Sequence, residues 1–379
     1  MRKLLFFYTF FLCAEQPIVM VVGTRPEAIK MAPVYYALKK EGLPVLLCST
    51  GQHNEMLNEV LDLFAIEPDV EFEIMKPGQD LFHINTTVLE MSKELFLNVH
   101  PRLVMVQGDT TTAMAAAMAA FYLHIPVAHV EAGLRSGNRQ RPFPEEINRE
   151  IISLVATYHF APTARAMAQL LREGVDREKI YCTGNTVVDA LYSIIEQKLE
   201  PSEQVRSFIE KGQKTLLLTA HRRESFDSGL FHIFMAMKKA HDKYPNLSII
   251  YPVHPNPAIR KVLDEVHLDE CERITLVPPV VYKDLVYLLN HVDGVATDSG
   301  GIQEEAVSLN KPVIVLREET DRPEAIEEGF GFLVGTCEDR ILKGIDQIMA
   351  NPEAFAKSSV SVYGDGRAAA RIARILKNE

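Results

Sequence analysis

Residues 130–148, VEAGLRSGNRQRPFPEEIN, gather Glu131, Glu145 and Glu146 among Arg135, Arg139 and Arg141 in a segment broken by glycine and proline. The segment directly follows an apolar, strand-like run at 125–130. Acids and bases on a loop at a strand end can be aimed at a ligand, whereas on an exposed helix they would mostly be solvated. Asp109 lies in VQGDTTTA (106–113), between another strand-like run and an Ala-rich helical stretch. Aspartate there is also a common helix N-cap. Together, Asp109, Glu131 and Glu145 are three carboxylates able to converge on one cleft. Without a metal motif, such a set suits general acid–base work on a sugar or polyol.

A second group of segments suits an anion. Gly23-Thr24-Arg25-Pro26-Glu27 follows a strand-like run, with Lys30 one turn further on. Glycine permits a tight turn, proline suits a first helical turn, and a helix N-terminus attracts negative charge, although a plain strand-to-helix turn has the same look. DGVATDSGGIQEEA (293–306) repeats the design: Ser299, Gly300 and Gly301 would offer free backbone N–H groups to a phosphate. Glu304 or Glu305, one turn on, could take both hydroxyls of a ribose, and Arg322 could add a cation. LLLTAHRRES (216–225) sets His221, Arg222 and Arg223 after a strand, and His254 in YPVHPNP follows the same logic. The chain has no GxSxG, no P-loop lysine motif and no HExxH.

All these clusters sit where a parallel sheet would place a ligand. The apolar runs 18–22, 45–49, 103–107, 126–130 and 158–162 alternate with helical patterns at 27–40, 54–64, 82–97, 112–123 and 145–157. From about 183 to 214 the alternation pauses, with one helix-like stretch, and resumes with runs at 215–219, 247–253, 274–277, 293–297 and 312–316. Short β-rich runs separated by helices imply parallel sheets covered on both faces, with ligands beyond the carboxyl ends of the strands. Two such units predict an α/β protein of two Rossmann-like, doubly wound domains facing a central cleft. At 379 residues the chain exceeds one ordinary core.

The bulk numbers exclude some alternatives. A net charge of −11 argues against a general nucleic-acid binder, though local arginine clusters still admit a small anion. Cys13, Cys48, Cys182, Cys271 and Cys337 are scattered without a CxxC pair and read as reduced thiols of a cytoplasmic protein, not as a disulfide frame or zinc site. Arg2-Lys3 followed by LLFFYTFFLCA imitates an export signal, but Leu12 is large where cleavage wants a small residue. That run is too short to span a bilayer, so no stable membrane association is expected.

Taken in order, GTRPEAIKMAPV, QGDTTTA, HVEAGLRS, PFPEEINR, HFAPT, TGNTVVDA, TAHRRES, DSGGIQEEA and RPEA (322–325) resemble the non-hydrolysing bacterial UDP-N-acetylglucosamine 2-epimerases from about Ile18 to the C-terminus. The resemblance implies the GT-B fold: an N-terminal domain over 1–184, a UDP-binding domain over 185–364, and a last helix (about 365–379) packed back on the first. It implies interconversion of UDP-GlcNAc and UDP-ManNAc without cofactor or metal, by elimination of UDP to 2-acetamidoglucal and re-addition, in a homodimer supplying ManNAc units for cell-surface polysaccharide. By motif match, Asp109, Glu131 and Glu145 would be the acid–base carboxylates and His221 would assist the departing diphosphate. Arg25, Lys30, Ser299, Gly300, Gly301 and Arg322 would hold UDP, with Glu305 on its ribose. A second, activating UDP-GlcNAc would match Gln52, His53, Arg222 and His254, with Glu145 or Glu146 nearby. The chain departs from the family at Ser225, commonly Asn, and in the glycine-aromatic GFGFLVGT (329–336). A hydrolysing epimerase, a GT-B glycosyltransferase and a non-catalytic nucleotide-sugar sensor are the competing readings.

Overall fold

The computed structural model describes residues 16–379 apart from 53, 77, 210–212, 223–227 and 351–361. His53, Arg223, Ser225 and the apolar N-terminal run lie outside the described residues.

Strands β1 (Ile18–Val22), β2 (Val45–Ser49), β3 (Val70–Glu71), β4 (Leu103–Gln107), β5 (Val127–Val130), β6 (Tyr158–Ala161) and β7 (Ile180–Cys182) form one sheet in the order β3-β2-β1-β4-β5-β6-β7. Every pairing is parallel. β1, β4 and β5 are buried along their whole length, which is why they read as unbroken apolar runs instead of alternating ones. The crossover helices are α1 (Arg25–Lys40), α2 (Asn54–Leu63), α3 (Leu81–Val99), α4 (Thr111–Tyr122), α5 (Glu145–Val155) and α6 (Ala164–Arg172).

After α7 (Thr186–Glu196) and α8 (Glu203–Ile209) the pattern repeats. β8 (Lys214–Thr219), β9 (Leu247–Pro252), β10 (Ile274–Val277), β11 (Gly294–Thr297), β12 (Val313–Val315) and β13 (Gly331–Leu333) form a second parallel sheet, ordered β10-β9-β8-β11-β12-β13. Its helices are α9 (Gly229–Lys243), α10 (Pro257–Val266), α11 (Tyr282–His291), α12 (Gly300–Ser308), α13 (Glu324–Glu327) and α14 (Glu338–Ala350). In each sheet the chain starts at a central strand, winds outward, then crosses back to wind the other way. The loops after β1 and β4 diverge at one switch point, and those after β8 and β11 at the other. Those are the positions where a doubly wound sheet opens a crevice.

An apolar layer joins the lobes. Val187, Leu191 and Ile194 of α7 lie in one buried cluster with Val34 and Leu38 of α1 and Leu288 and Leu289 of α11. The last helix, α15 (Ala368–Asn378), adds Ile372 and Leu376 to that cluster. Asp189 caps it through the N–H groups of Ala368 (3.1 Å) and Ala369 (2.9 Å), and Arg102 Nη2 donates to the Leu376 carbonyl at 3.1 Å. Among the described residues no helix is long and apolar enough to cross a membrane.

Several elements escape the reading from apolar runs and helical patterns, α6 among them. β3, β7 and β13 have only two or three residues each (VE, IYC, GFL), so no run marks them. α8 shows only a buried Val205 and Phe208 among charges, within the stretch expected to hold a single helix. β13 also explains part of GFGFLVGT: a Cβ on Gly331 would stand 2.4 Å from the Val313 carbonyl oxygen of the neighbouring strand.

Candidate active site

The turn after β1 is fastened by Glu27. Its carboxylate accepts the N–H groups of Gly23 (3.0 Å) and Thr24 (2.7 Å), the Thr24 hydroxyl (2.8 Å) and the Thr110 hydroxyl (2.7 Å). This capping arrangement ties the β1 turn to the β4 turn. Gly23 allows the close approach, since a Cβ there would lie 2.6 Å from Thr50 Oγ1 and 2.8 Å from Thr112 Oγ1. Thr112 in turn donates to Gln52 Oε1 at 2.7 Å.

Asp109 follows β4 by two residues, with its own carbonyl held by Asn148 Nδ2 at 2.8 Å. The preceding Gly108 carbonyl accepts from His129 Nε2 at 2.7 Å. Burial pushes His129 down to about 3, so the ring is neutral and serves as a fixed donor. Glu131, the first residue after β5, adopts φ +67°, a left-handed conformation uncommon for a residue with a side chain. Such geometry persists only where the surroundings hold it. Here Lys30 Nζ and Asn185 Nδ2 (3.1 Å) bond Oε2 while Arg322 Nη2 approaches Oε1 at 3.3 Å.

These groups belong to a buried string of alternating charge that crosses from one lobe to the other. Arg149 of α5 reaches Asp109 Oδ2 (2.8 Å from Nε), Glu146 Oε2 (3.1 Å) and Asp321 Oδ2 (2.6 Å). Asp321 also receives Arg322 Nη1 at 2.6 Å and Arg317 Nη1 at 3.4 Å. Arg322 Nε donates to Glu304 Oε1 at 2.8 Å, and Lys30 Nζ stands 3.7 Å from Glu304 Oε2. Buried charges survive only when paired this way.

The environments separate the carboxylates. Burial by itself would raise Asp109, but Arg149 outweighs it and holds the group below the ordinary carboxylate range. Glu145, at the start of α5, is pushed up by burial and by the charge of Asp109, and its Oε2 is buried without a protein hydrogen-bond partner. Two carboxylates driven apart are the usual sign of an acid and a base at one site.

The second lobe presents different groups. Asp298, wholly buried, accepts the N–H groups of His221 (2.6 Å) and Arg222 (2.8 Å), and its carbonyl accepts Arg222 Nε at 3.1 Å. The half-exposed His221 ring stacks on exposed His254, with centroids 5.5 Å apart and planes within 12°. Ser299 stands at the N-cap position of α12 without a side-chain cap, and its N–H, expected to be free, donates instead to Thr297 Oγ1 at 3.0 Å; the first two helix residues are Gly300 and Gly301. A Cβ on Gly300 would lie 2.5 Å from Arg322 Nη1, whereas one on Gly301 would meet no atom within 4 Å. Glu305 accepts the Tyr282 hydroxyl at 2.7 Å and is pushed up to about 7 by burial. Arg25 reaches over the cleft, with Nη1 3.5 Å from the Val280 carbonyl.

Thus Asp109, Glu131, Arg149, Lys30 and Arg322 meet in one network, and Arg25 and Glu305 lie beside it. Glu145 adjoins Asp109 and feels Arg222. Arg322 is placed one layer behind the Gly300–Gly301 turn, with donors on three carboxylates. Gln52 faces Thr112, and His254 touches His221; His53 is not among the described residues. Sequence reasoning missed Arg149, Asp321, Glu27, Asp298 and Asn185. Arg149 had a signal, lying four residues after Glu145 on one helix face. Asp321, beside Arg322 in a loop, had none.

The sequence profile of the UDP-N-acetylglucosamine 2-epimerase family matches residues 36–377. The UDP-N-acetylglucosamine 2-epimerase of Salmonella typhimurium is 44% identical over 371 residues, covering 95% of this chain and 98% of that protein. The Campylobacter jejuni protein of the same name is 42% identical over 371 residues, 95% of this chain and 97% of that one. The crystal structure of the Neisseria meningitidis UDP-GlcNAc 2-epimerase bound to UDP-GlcNAc superposes with a TM-score of 0.90 at 40% identity, over 96% of this chain and all 100% of that one. The Methanocaldococcus jannaschii enzyme with UDP-GlcNAc and UDP gives 0.84 at 34% identity, over 96% of this chain and 100% of that one. A Rickettsia africae glycosyltransferase, 15% identical with a TM-score of 0.60 over 96% of this chain and 98% of that one, shares the fold alone. The two facing Rossmann-like lobes are the GT-B architecture.

Proposed function

The chain belongs to the UDP-N-acetylglucosamine 2-epimerase family, and from that premise we propose that it is a non-hydrolysing isomerase that interconverts UDP-GlcNAc and UDP-ManNAc in the cleft. The observation that supports this most is the convergence of Asp109, Glu131 and Glu145 at the cleft facing the glycine turn of α12.

The C2 proton of the sugar has no adjacent carbonyl to acidify it, so direct abstraction is too slow. In the proposed course a carboxylate takes that proton as the C1–O bond breaks. The C2–H electrons become the C1=C2 bond of 2-acetamidoglucal, and the C1–O electrons leave with UDP. Proton return to the other face of C2 and attack of UDP at C1 complete the exchange. Asp109, held ionised, and Glu145, holding its proton to higher pH, are the contrasting pair for this chemistry. The backbone N–H groups of Gly300 and Gly301, with the Ser299 hydroxyl, would hold the diphosphate, with Arg25, Lys30, Arg322 and His221 offsetting its charge, and Glu305 would take the ribose. No cofactor or metal enters this course.

Several finer points belong to the same reading. The lobes, 1–184 with 365–379 and 185–364, close on substrate; the UDP-ManNAc product supplies ManNAc units for cell-surface polysaccharide, and the site of action is cytoplasmic. A second UDP-GlcNAc beside Gln52, His53, Arg222 and His254 activates the enzyme, which sigmoidal initial rates would reveal. The exposed Leu97, Phe121, Tyr122 and Leu154 on the adjoining α3, α4 and α5 suit a second copy of the chain, and a single-chain mass by light scattering would remove the homodimer.

The decisive test is proton NMR with UDP-GlcNAc in deuterated water. The expected result is a mixture of UDP-GlcNAc and UDP-ManNAc with deuterium at C2. UDP plus free ManNAc would mean a hydrolysing enzyme, and an unchanged spectrum would remove the carboxylate roles.

A further inference from the structure

The buried charge string has an asymmetry that the chemistry above does not use. Its first-lobe ends are the carboxylates Asp109 and Glu131, yet no direct hydrogen bond or ion pair links these two. The link runs through Asp321, a carboxylate of the other lobe. Asp321 Oδ2 receives Arg149 Nη2 and Arg322 Nη1, both at 2.6 Å. The same two guanidiniums carry the contacts to Asp109 (2.8 Å) and Glu131 (3.3 Å). The side chains of Asp321, Arg149 and Arg322 are 2%, 5% and 7% exposed, so solvent does not screen the arrangement.

Resting on the epimerase reading, we propose that Asp321 is a positioning residue which clamps Arg149 and Arg322 against the first lobe, so that closing the cleft and aligning Asp109 with Glu131 are one event. Without its negative charge, Arg149 and Arg322 would repel each other inside the protein, and each would turn toward whichever carboxylate remained. The result is misplacement of Asp109 and Glu131, not loss of any group that meets substrate. Misplacement by about 1 Å costs about 100-fold in rate when a reacting group is involved.

A merely structural link between lobes predicts something different, and the molecule contains a control. Arg165 and Glu327 also join the lobes by an ion pair, but at the surface and away from both carboxylates. Glu327→Gln removes a solvent-exposed bridge between the lobes without touching the string.

The pH profile supplies a second readout. The groups facing Asp109 are Arg149 from α5, Glu145 at its N-terminus, and Asp321 and Arg322 from the second lobe. Glu146 shares Arg149 with it. Asp321 pushes Asp109 upward, against the pull of both arginines, so removing its charge moves the acid limb of kcat/KM to lower pH.

The experiment follows epimerisation and UDP binding for wild type, Asp321→Asn, Asp321→Glu and Glu327→Gln. Expected are a loss of kcat of about 100-fold in Asp321→Asn, a UDP dissociation constant raised far less than kcat falls, since Arg322 shifts without being removed, an acid limb moved to lower pH, and unchanged kinetics in Glu327→Gln. An active wild type with unchanged kcat and pH profile in Asp321→Asn would overturn the proposal alone, as would parallel losses in Glu327→Gln. A wild type that does not epimerise would overturn the functional reading and this one with it. Should Asp321→Asn fail to fold, Asp321→Glu keeps the charge and carries the test. It should bind UDP normally with kcat lowered, and wild-type kcat there would overturn the proposal.

Discussion

At the switch point of the first sheet the chain delivers carboxylates: Glu27 after β1, Asp109 after β4, and Glu131 one strand further on. At the matching point of the second sheet it delivers rings and backbone: His221 and Arg222 after β8, then Ser299, Gly300 and Gly301 after β11. The topologies are alike, so topology does not decide the chemistry. What differs is where each lobe spends its acids. In the second lobe Asp298 turns inward to hold the His221–Arg222 loop. In the first, Asp109 and Glu131 meet cations at the lobe boundary. Under the proposed reaction one lobe would move protons and the other receive an anion, so substitutions should divide into turnover effects and binding effects.

The division is most exposed to failure at the carboxylates. Asp109→Asn and Glu131→Gln should each lower kcat by about 10²–10⁴-fold, the usual worth of a positioned acid or base, while UDP binds within a few-fold of wild type. Steady-state turnover paired with calorimetric UDP titration reads both. Near-normal turnover in either variant would take that residue out of the chemistry, and equal losses in turnover and UDP binding would erase the contrast between the lobes.

The two adjacent glycines of α12 sharpen the second half of the comparison. A Cβ on Gly300 would stand 2.6 Å from Arg322 Cζ, and that guanidinium is hemmed in by Glu131, Glu304 and Asp321. Gly300→Ala should therefore cost about 1–3 kcal/mol of stability, as overpacking generally does, visible as a lowered Tm. A Cβ on Gly301 touches nothing in the protein. Gly301→Ala should keep its Tm and weaken UDP, because in the proposed site the added methyl would stand where backbone approaches phosphate. Equal Tm losses in the two variants would place both glycines in a plain turn.

Much of this arrangement is legible in the residues themselves. Central strands announce themselves because burial on both faces demands continuous apolar runs, as in IVMVV and LVMVQ. The site segments are legible because each must directly follow such a run. Edge strands such as IYC are too short to leave a pattern, and their pairing is set by the neighbouring strand. Asp321 was invisible for another reason. Its partners are one residue away, four away and 172 away in sequence, and only the packing of one lobe against the other brings the last of these, Arg149, onto it. A motif match named Arg322 but could not show that its donors go to carboxylates, since that depends on Gly300 leaving room for it.

Glu305 is the one second-lobe carboxylate expected to meet ligand, and its titration tests the contrast most finely. Burial raises it from 4.5 to about 7, with the Tyr282 hydroxyl working against that rise. The sign for stability follows: a raised carboxyl favours the protonated fold, so its contribution is complete below 4.5 and is lost as pH rises through about 7. For a ribose the order reverses, because the ionised group is the better acceptor for two hydroxyls. The advantage of wild type over Glu305→Gln in UDP affinity should therefore grow between pH 6 and 8, by about tenfold at most. Taking the ratio of the two proteins at each pH cancels the titration of UDP itself. A ratio that stays flat would remove Glu305 from the ribose, leaving the second lobe to hold its ligand by backbone and cations alone and confining ligand-facing carboxylates to the first.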